Sequence, residues 1–452
     1  MPPPLLPPGP KYWLYGAAAW AFQRDPLDFL TRNTREFGDV VHFSLGSRRM
    51  YFFNRPEYVA EILVTQQDAF MKGQALQRAK RVLGEGLLTS EGATHLRQRR
   101  LVQPAFQRQR LPAYAGSMVQ CAARAAERWQ DGQTLNMHAE MLRLALRIAG
   151  ETLFGADVEH EAAEIGAALT ELMEAFDLVM LPFSQWLEWL PLPRARRFKR
   201  AIARLDSTIQ RLIDERRRNP RATRDSGDLL SMLLNARDAE GGGGGMSDRQ
   251  LRDEALTLFL AGHETTANAM TWTWYLLSQN PAIETQLHAE LQRVLPNGRL
   301  PEFADLPELR FVENIFAESL RLFPPAWAIG RMALRDVSVG GYTMPKGAIA
   351  LLSPYVTQRD ARYFPDPQRF DPERWTPAAK EARHPFAYFP FGGGARRCIG
   401  EGFAWMEGTL LLATLAQRWR FTLDPKQIVA TQPVITLRPR HGMNMLARKI
   451  SD

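Results

Sequence analysis

The sequence predicts a mainly α fold with a small β part, in one cooperative unit over residues 1–452. Three observations carry that expectation. Helical apolar spacing runs from Pro56 to about Ile213, returns after Ser247, and runs on through 281–323. Strand-like alternation is confined to 38–53, 331–354 and about 433–447. The segment 363–397, rich in Pro, Gly and aromatic residues, has no period and leads to a lone cysteine; loops this long are usually functional.

Taken in order, residues 1–10 are Pro-rich and have no basic stretch of the kind that opens an export signal. Residues 38–53 read as a β-hairpin turning at Leu45-Gly46-Ser47. A long helical stretch is expected from Tyr114 to Phe154, and a basic, solvated helix over 191–219. The Gly run at about 236–246 cannot hold a helix and is expected to be a flexible loop. Ser247 and Asp248 then offer N-caps for the next helix. That helix carries the apolar run 256–277, with His263, Glu264 and Asn268 near its middle. An acid at a bilayer centre costs about 2.5–3.5 kcal/mol, so a helix buried inside protein is expected rather than a membrane span. An amphipathic helix is expected from about Gly400 to Trp419, and short strands at 433–447.

Composition narrows the class. Hydrophobic residues make up 45% and charged residues 23%, which excludes a disordered chain, a collagen-like fibre and a polytopic membrane protein. The net charge is +8, and only eight of the 57 basic residues are Lys. Such a balance suits a solvated surface, or an acidic partner or membrane. Two cysteines exclude a disulfide framework and point to a reducing cytosol. Cys121 lies in a helical stretch and reads as a small buried hydrophobe.

Cys398 closes the run Pro390-Phe391-Gly392-Gly393-Gly394-Ala395-Arg396-Arg397 and stands just ahead of a helix. A helix N-terminus and adjacent Arg lower a thiol pKa, so a thiolate is expected, as nucleophile or as metal ligand. Backbone donors aimed at the sulfur suit an iron ligand. The spacing of Phe391, Gly394, Arg396, Cys398 and Gly400 resembles the haem-binding signature of the cytochromes P450. Three further segments resemble the same family, in the same order along the chain.

Glu318 and Arg321 are three apart on an apolar helix and so share a face. In the family this Glu-x-x-Arg pair is joined by a later Arg, here Arg374, in a structural role beneath the haem. Ala261-Gly262-His263-Glu264-Thr265-Thr266 interrupts an apolar helix with poor helix formers. It resembles the family's oxygen-activating motif, with Glu264 and Thr265 as the proton-relay pair and Ala261 lining the haem and substrate space. His95 and Arg99, four apart on a helix, resemble a propionate-binding pair. Arg331 and Arg396 match further propionate positions.

The resemblance implies a cytochrome P450 fold, with haem b between the oxygen-binding helix and the cysteine loop, and Cys398 as the iron ligand. It implies a monomeric, cytoplasmic, bacterial monooxygenase fed from NAD(P)H by a separate ferredoxin or flavodoxin and its reductase. Arg97, Arg100 and Arg397 are expected to face outward and meet an acidic electron donor. Substrate contacts are expected at about 74–88, about 172–190, Ala261, and Ala326, Trp327, Ala328 and Ile329. Their apolar character, and a likeness around 320–327 and 353–359 to bacterial carotenoid and terpenoid hydroxylases, favour a terpenoid. The runner-up is a fatty acid held by Arg78 or Arg81. A peroxide-driven or isomerising haem-thiolate enzyme and a non-catalytic haem sensor are the rival classes.

Overall fold

A computed structural model describes residues 6–12, 16–155, 168, 193–218, 228–238, 240 and 243–450. Its strands, in chain order, are β1 (Val40–Leu45), β2 (Arg48–Phe53), β3 (Phe70–Lys72), β4 (Thr134–Asn136), β5 (Ile329–Ala333), β6 (Val337–Val339), β7 (Tyr342–Met344), β8 (Ile349–Leu352), β9 (Trp419–Leu423), β10 (Thr431–Pro433), β11 (Leu437–Pro439) and β12 (Asn444–Lys449). The helices that build the site are α1 (Gly92–Val102), α2 (Leu111–Glu127), α3 (Met137–Phe154), α4 (Asp248–Gln279), α5 (Arg310–Leu322) and α6 (Glu401–Ala416).

The hairpin expected at 38–53 is β1–β2, antiparallel, with Gly46 at φ 63° in its turn. It is one edge of a five-stranded sheet in the order β1-β2-β8-β5-β3. Only β2–β8 is parallel; the register of β3 on β5 sets Lys72 opposite Arg331. That pairing joins residues far apart in sequence, and it puts two cations side by side.

The helical stretch from Tyr114 to Phe154 is two helices, not one. α2 ends at Glu127, and α3 begins at Met137 behind an Asn136 cap that accepts from Ala139 N–H. Gly132, at φ 76°, turns the chain between them, and β4 pairs with β12. The stretch 281–323 is likewise broken, by Pro296, Asn297 at φ 58° and Gly298. The C-terminal helix ends at Ala416, so Trp419 opens β9 instead of closing a helix. It is also not amphipathic: Met406 through Ala416 are buried on every side. This follows from its place inside the largest core cluster, against α2, α4 and α5. Gly408 permits that closeness, since a Cβ there would lie 2.4 Å from the Phe316 ring.

α4 is the spine of that cluster. Ser247 and Gln250 form a reciprocal capping box at its start. Trp272 is fully buried and stacks on Phe323 at 4.2 Å between ring centroids. Burying one such aromatic side chain contributes about 1.5–3 kcal/mol. Among the described residues no helix is long and apolar enough to cross a membrane. The Gly-rich loop is tied to α1, where Asp238, 2% exposed, pairs with Arg97 and Arg100, and Arg97 also donates to Gly245 O at 2.8 Å.

Candidate active site

The cysteine loop is shaped by close backbone approaches. Gly394 sits at φ 65°, and a Cβ there would fall 1.8 Å from the Leu63 carbonyl oxygen, so only glycine fits. Gln67 Oε1 accepts from Ala395 N–H at 2.9 Å, and Cys398 N–H donates to Phe391 O at 2.9 Å. Phe391 packs on Trp405 of α6 at 5.6 Å. The Gly400 N–H reaches the Cys398 sulfur, as a helix N-terminus should. Gly400 itself needs no special conformation, at φ −87°.

The thiol is not lowered as expected. Burial pushes the Cys398 thiol up, against the smaller opposing pulls of Gly400 N–H, Arg99 and Arg397. Yet the residue as a whole is exposed. Such a sulfur becomes a thiolate when a metal takes the proton's place.

A cluster of basic groups, Lys72 and three arginines with an uncharged His95, stands near it with few anions. Lys72, His95 and Arg331 are buried, at 7%, 3% and 9% exposure. Burial and the neighbouring Arg396 hold Lys72 down to about 7, His95 to about 3 and Arg331 to about 10. Arg396 pairs with Glu91 and donates to Ser90 O at 2.7 Å. Arg99 donates to Arg397 O at 2.9 Å. The Glu91 carboxylate acts on both Lys72 and Arg331, and it also accepts from Lys72 N–H at 2.8 Å. The arrangement therefore fits a ligand carrying carboxylates, and the two propionates of haem b meet that need. Lys72 and Glu91 were not singled out from sequence. No local pattern marks them; only β3–β5 pairing brings Lys72 to Arg331.

α4 is buried over most of its length but opens at Ala261, Gly262 and Thr265. Ala261 is exposed and Thr265 half-buried. Thr265 Oγ1 donates to Ala261 O at 2.5 Å, the hydroxyl back-bond that loosens a helix locally. Glu264 turns the other way, 7% exposed, and accepts from Thr436 Oγ1 at 2.8 Å. Burial raises the Glu264 carboxyl, opposed by Thr436 and Arg438. Thr266 Oγ1 donates to Glu407 Oε2 at 2.8 Å, which ties α4 to the helix behind Cys398.

Glu318, Arg321 and Arg374 come together. Arg321 binds Glu318 in a two-bond fork, both bonds 2.8 Å, and both residues are fully buried. Its remaining donors go to the carbonyls of Gln358, Pro367 and Arg369, so all five guanidinium N–H groups are used. Arg374 completes the site at 3.3 Å from Glu318, which also accepts from Asp371 N–H and Trp375 Nε1–H. One buried carboxylate thus anchors the aperiodic loop that leads to Cys398.

Arg100 and Arg397 are exposed and Arg97 is half-buried, and all three are paired, Arg97 and Arg100 with Asp238 and Arg397 with Glu401 at 2.5 Å. One expectation is corrected. Trp327 is not a wall residue. It lies in a core cluster with Phe43 and Ile349, and its indole N–H donates to Val434 O at 3.0 Å. Ala326, Ala328 and Ile329 are half-buried, and Ile329 approaches Gly392 of the cysteine loop. Of the expected substrate segments, 172–190 lies outside the described residues.

Residues 6–443 match the family described as Cytochrome P450. The chain is 40% identical over 440 residues to "Cyclooctatin synthase" of Streptomyces melanosporofaciens, covering 95% of each chain. It is 38% identical over 416 residues to "Pentalenene oxygenase" of Streptomyces avermitilis, covering 90% of this chain and 89% of that one. A solved structure titled "Crystal structure of cytochrome P450DA heme domain" superposes with a TM-score of 0.90 at 27% identity, covering 99% of this chain and 98% of that one. With the matched span running through all four motifs, the chain belongs to the cytochrome P450 family, the haem b oxidoreductases that incorporate oxygen from O2.

Proposed function

We propose that this chain hydroxylates a terpenoid hydrocarbon, with Cys398 as the iron ligand and Glu264 and Thr265 handling protons. The observation that carries the ligand assignment is an exposed cysteine at the end of a glycine loop fixed by the close approach of Gly394 to Leu63 and by the Ala395 N–H bond to Gln67. Haem b supplies the binding and reductive activation of dioxygen when bound. His95, Arg99, Arg331 and Arg396, with Lys72, hold its propionates by charge-assisted bonds. Thr265, whose own proton is engaged by Ala261 O, keeps its oxygen lone pairs free to accept at the open face of α4. Glu264, one residue away and hydrogen-bonded into the interior, is the acid that exchanges protons. Ala261, Ala326, Ala328 and Ile329 supply apolar wall, with no charge to hold a polar substrate. The names of the two bacterial relatives support a terpenoid over a fatty acid.

Electrons come from a separate ferredoxin or flavodoxin and its reductase. Arg108 and Arg110 suit an acidic donor: both are exposed, and they follow Phe106, which packs near Gly400 and on Phe403 of α6. The deciding measurement is the carbon monoxide difference spectrum of the reduced protein. The thiolate Soret band should be present, and Cys398→Ala should abolish it. A band typical of histidine ligation would overturn the assignment. Substrate class is settled by titration: a terpenoid hydrocarbon should shift the haem spin state independently of salt. Binding that weakens in salt and in an Arg78→Ala or Arg81→Ala protein would instead indicate a fatty acid.

A further inference from the structure

Glu264 is the end of a chain of hydrogen bonds drawn from three parts of the sequence. Thr436, in the turn between β10 and β11, donates from Oγ1 to Glu264 Oε1 at 2.8 Å. Asn268, one turn beyond Glu264 on α4, donates from Nδ2 to Thr436 Oγ1 at 3.0 Å. Its Oδ1 faces His138 Nε2, on the first turn of α3, at 2.9 Å. Asn268, Thr436 and Glu264 are 0%, 6% and 7% exposed, so water does not compete for these bonds.

The chain has one polarity. Thr436 Oγ1 receives the Asn268 amide proton, which leaves its own hydroxyl proton for the carboxylate. The amide is oriented by the same network, with its oxygen toward His138. Burial holds His138 down to about 4, so near neutral pH it is an uncharged imidazole that donates from Nε2. All three donors thus point at Glu264. The hairpin that carries Thr436 is itself pinned, since Leu437 O accepts from the Trp272 indole and Val434 O from the Trp327 indole. The other charged or titratable groups acting here are Arg438, which pulls down both Glu264 and His138, and His263. His263 Nε2 is bonded to Leu142 O and is also held uncharged by burial.

We propose that Thr436, Asn268 and His138 are positioning residues for Glu264, a polarised chain that donates into its carboxyl, favours its charged form and keeps it turned to the interior. An isolated carboxyl at this depth would stay protonated. The proposal rests on the reading of Glu264 as the proton-exchanging acid.

The test is an infrared pH titration of the resting holoenzyme, with the Glu264 carboxyl band identified by its loss in Glu264→Gln. Thr436→Val should raise the midpoint by roughly one to two units, the cost of one hydrogen bond to a charged group. Thr436→Ser should restore it, and Asn268→Leu and His138→Phe should raise it by less. The coupling of NAD(P)H oxidation to product should fall at neutral pH in Thr436→Val and recover as pH rises. A purely structural role would lower the melting temperature and leave the midpoint in place, and that result overturns the proposal. So does a shift in Thr436→Val with none in Asn268→Leu or His138→Phe, because the chain would then end at Thr436. If Glu264→Gln stays fully coupled, the acid assignment fails while the infrared shift still reports on the chain, so the two failures are distinct.

Discussion

Thr266 on α4 donates a 2.8 Å hydrogen bond to Glu407 on α6, and so couples the helix of the proton-handling pair to the helix that follows the cysteine. Glu407 is 2% exposed, and burial pushes its carboxyl up to about 8. It is therefore protonated at neutral pH and links the helices as an uncharged group.

The sign of the pH effect follows. The folded carboxyl holds its proton above the unfolded value of 4.5. Between about pH 4.5 and pH 8 the folded state binds more protons than the unfolded state, so this group's contribution to stability falls as pH rises. Glu407→Gln should remove that loss. Its stability relative to the parent protein should rise steadily from pH 5 to pH 8, measured by denaturant unfolding. A flat difference across that range would show that Glu407 is ionised in the fold.

Glu318→Ala should be severe. It leaves Arg321 buried with two donors unpaired, and such a break costs about 3–5 kcal/mol. Haem retention should fall with it, because Arg321 and Arg374 anchor the loop that leads to Cys398. Unfolding midpoints and the haem-to-protein ratio of purified protein check both effects.

Lys72→Met should speed haem loss. Hydrogen bonds to charged groups contribute about 1.5–3 kcal/mol, so transfer of haem to apomyoglobin should accelerate roughly tenfold to a hundredfold. In the haem-free protein the opposite holds, since the same Lys is buried among like charges. Its folded pKa lies below its unfolded one, so stability there rises with pH between about 7 and 10.5, and Lys72→Met should flatten that rise.

Arg108→Glu with Arg110→Glu should slow reduction by an acidic ferredoxin at low salt, with the difference vanishing as salt rises. Arg97→Glu and Arg100→Glu should act differently. Each sets a like charge against the buried Asp238 in place of one of its two cations, so the expected effect is lower stability with little change in salt dependence. Stopped-flow reduction rates against ionic strength separate the two pairs.

Motifs bounded by local chemistry were legible in the sequence alone. The cysteine loop and the Glu318–Arg321 fork lie within short segments, where spacing on a helix or glycine density already states the geometry. The β1–β2 hairpin and the Ser247 cap were legible for the same reason. Tertiary structure alone decided what depended on distant neighbours. The helical period through Tyr114–Phe154 conceals a strand, because β4 exists only by pairing with β12. The helix after Gly400 looks one-sided until three other helices surround it. Lys72 becomes a site residue only through β3–β5 register, Thr436 only when its hairpin is pinned against α4, and the Cys398 thiol is raised because burial outweighs the helix end that sequence reveals. Burial and long-range pairing are sums over contacts that no window of the chain contains.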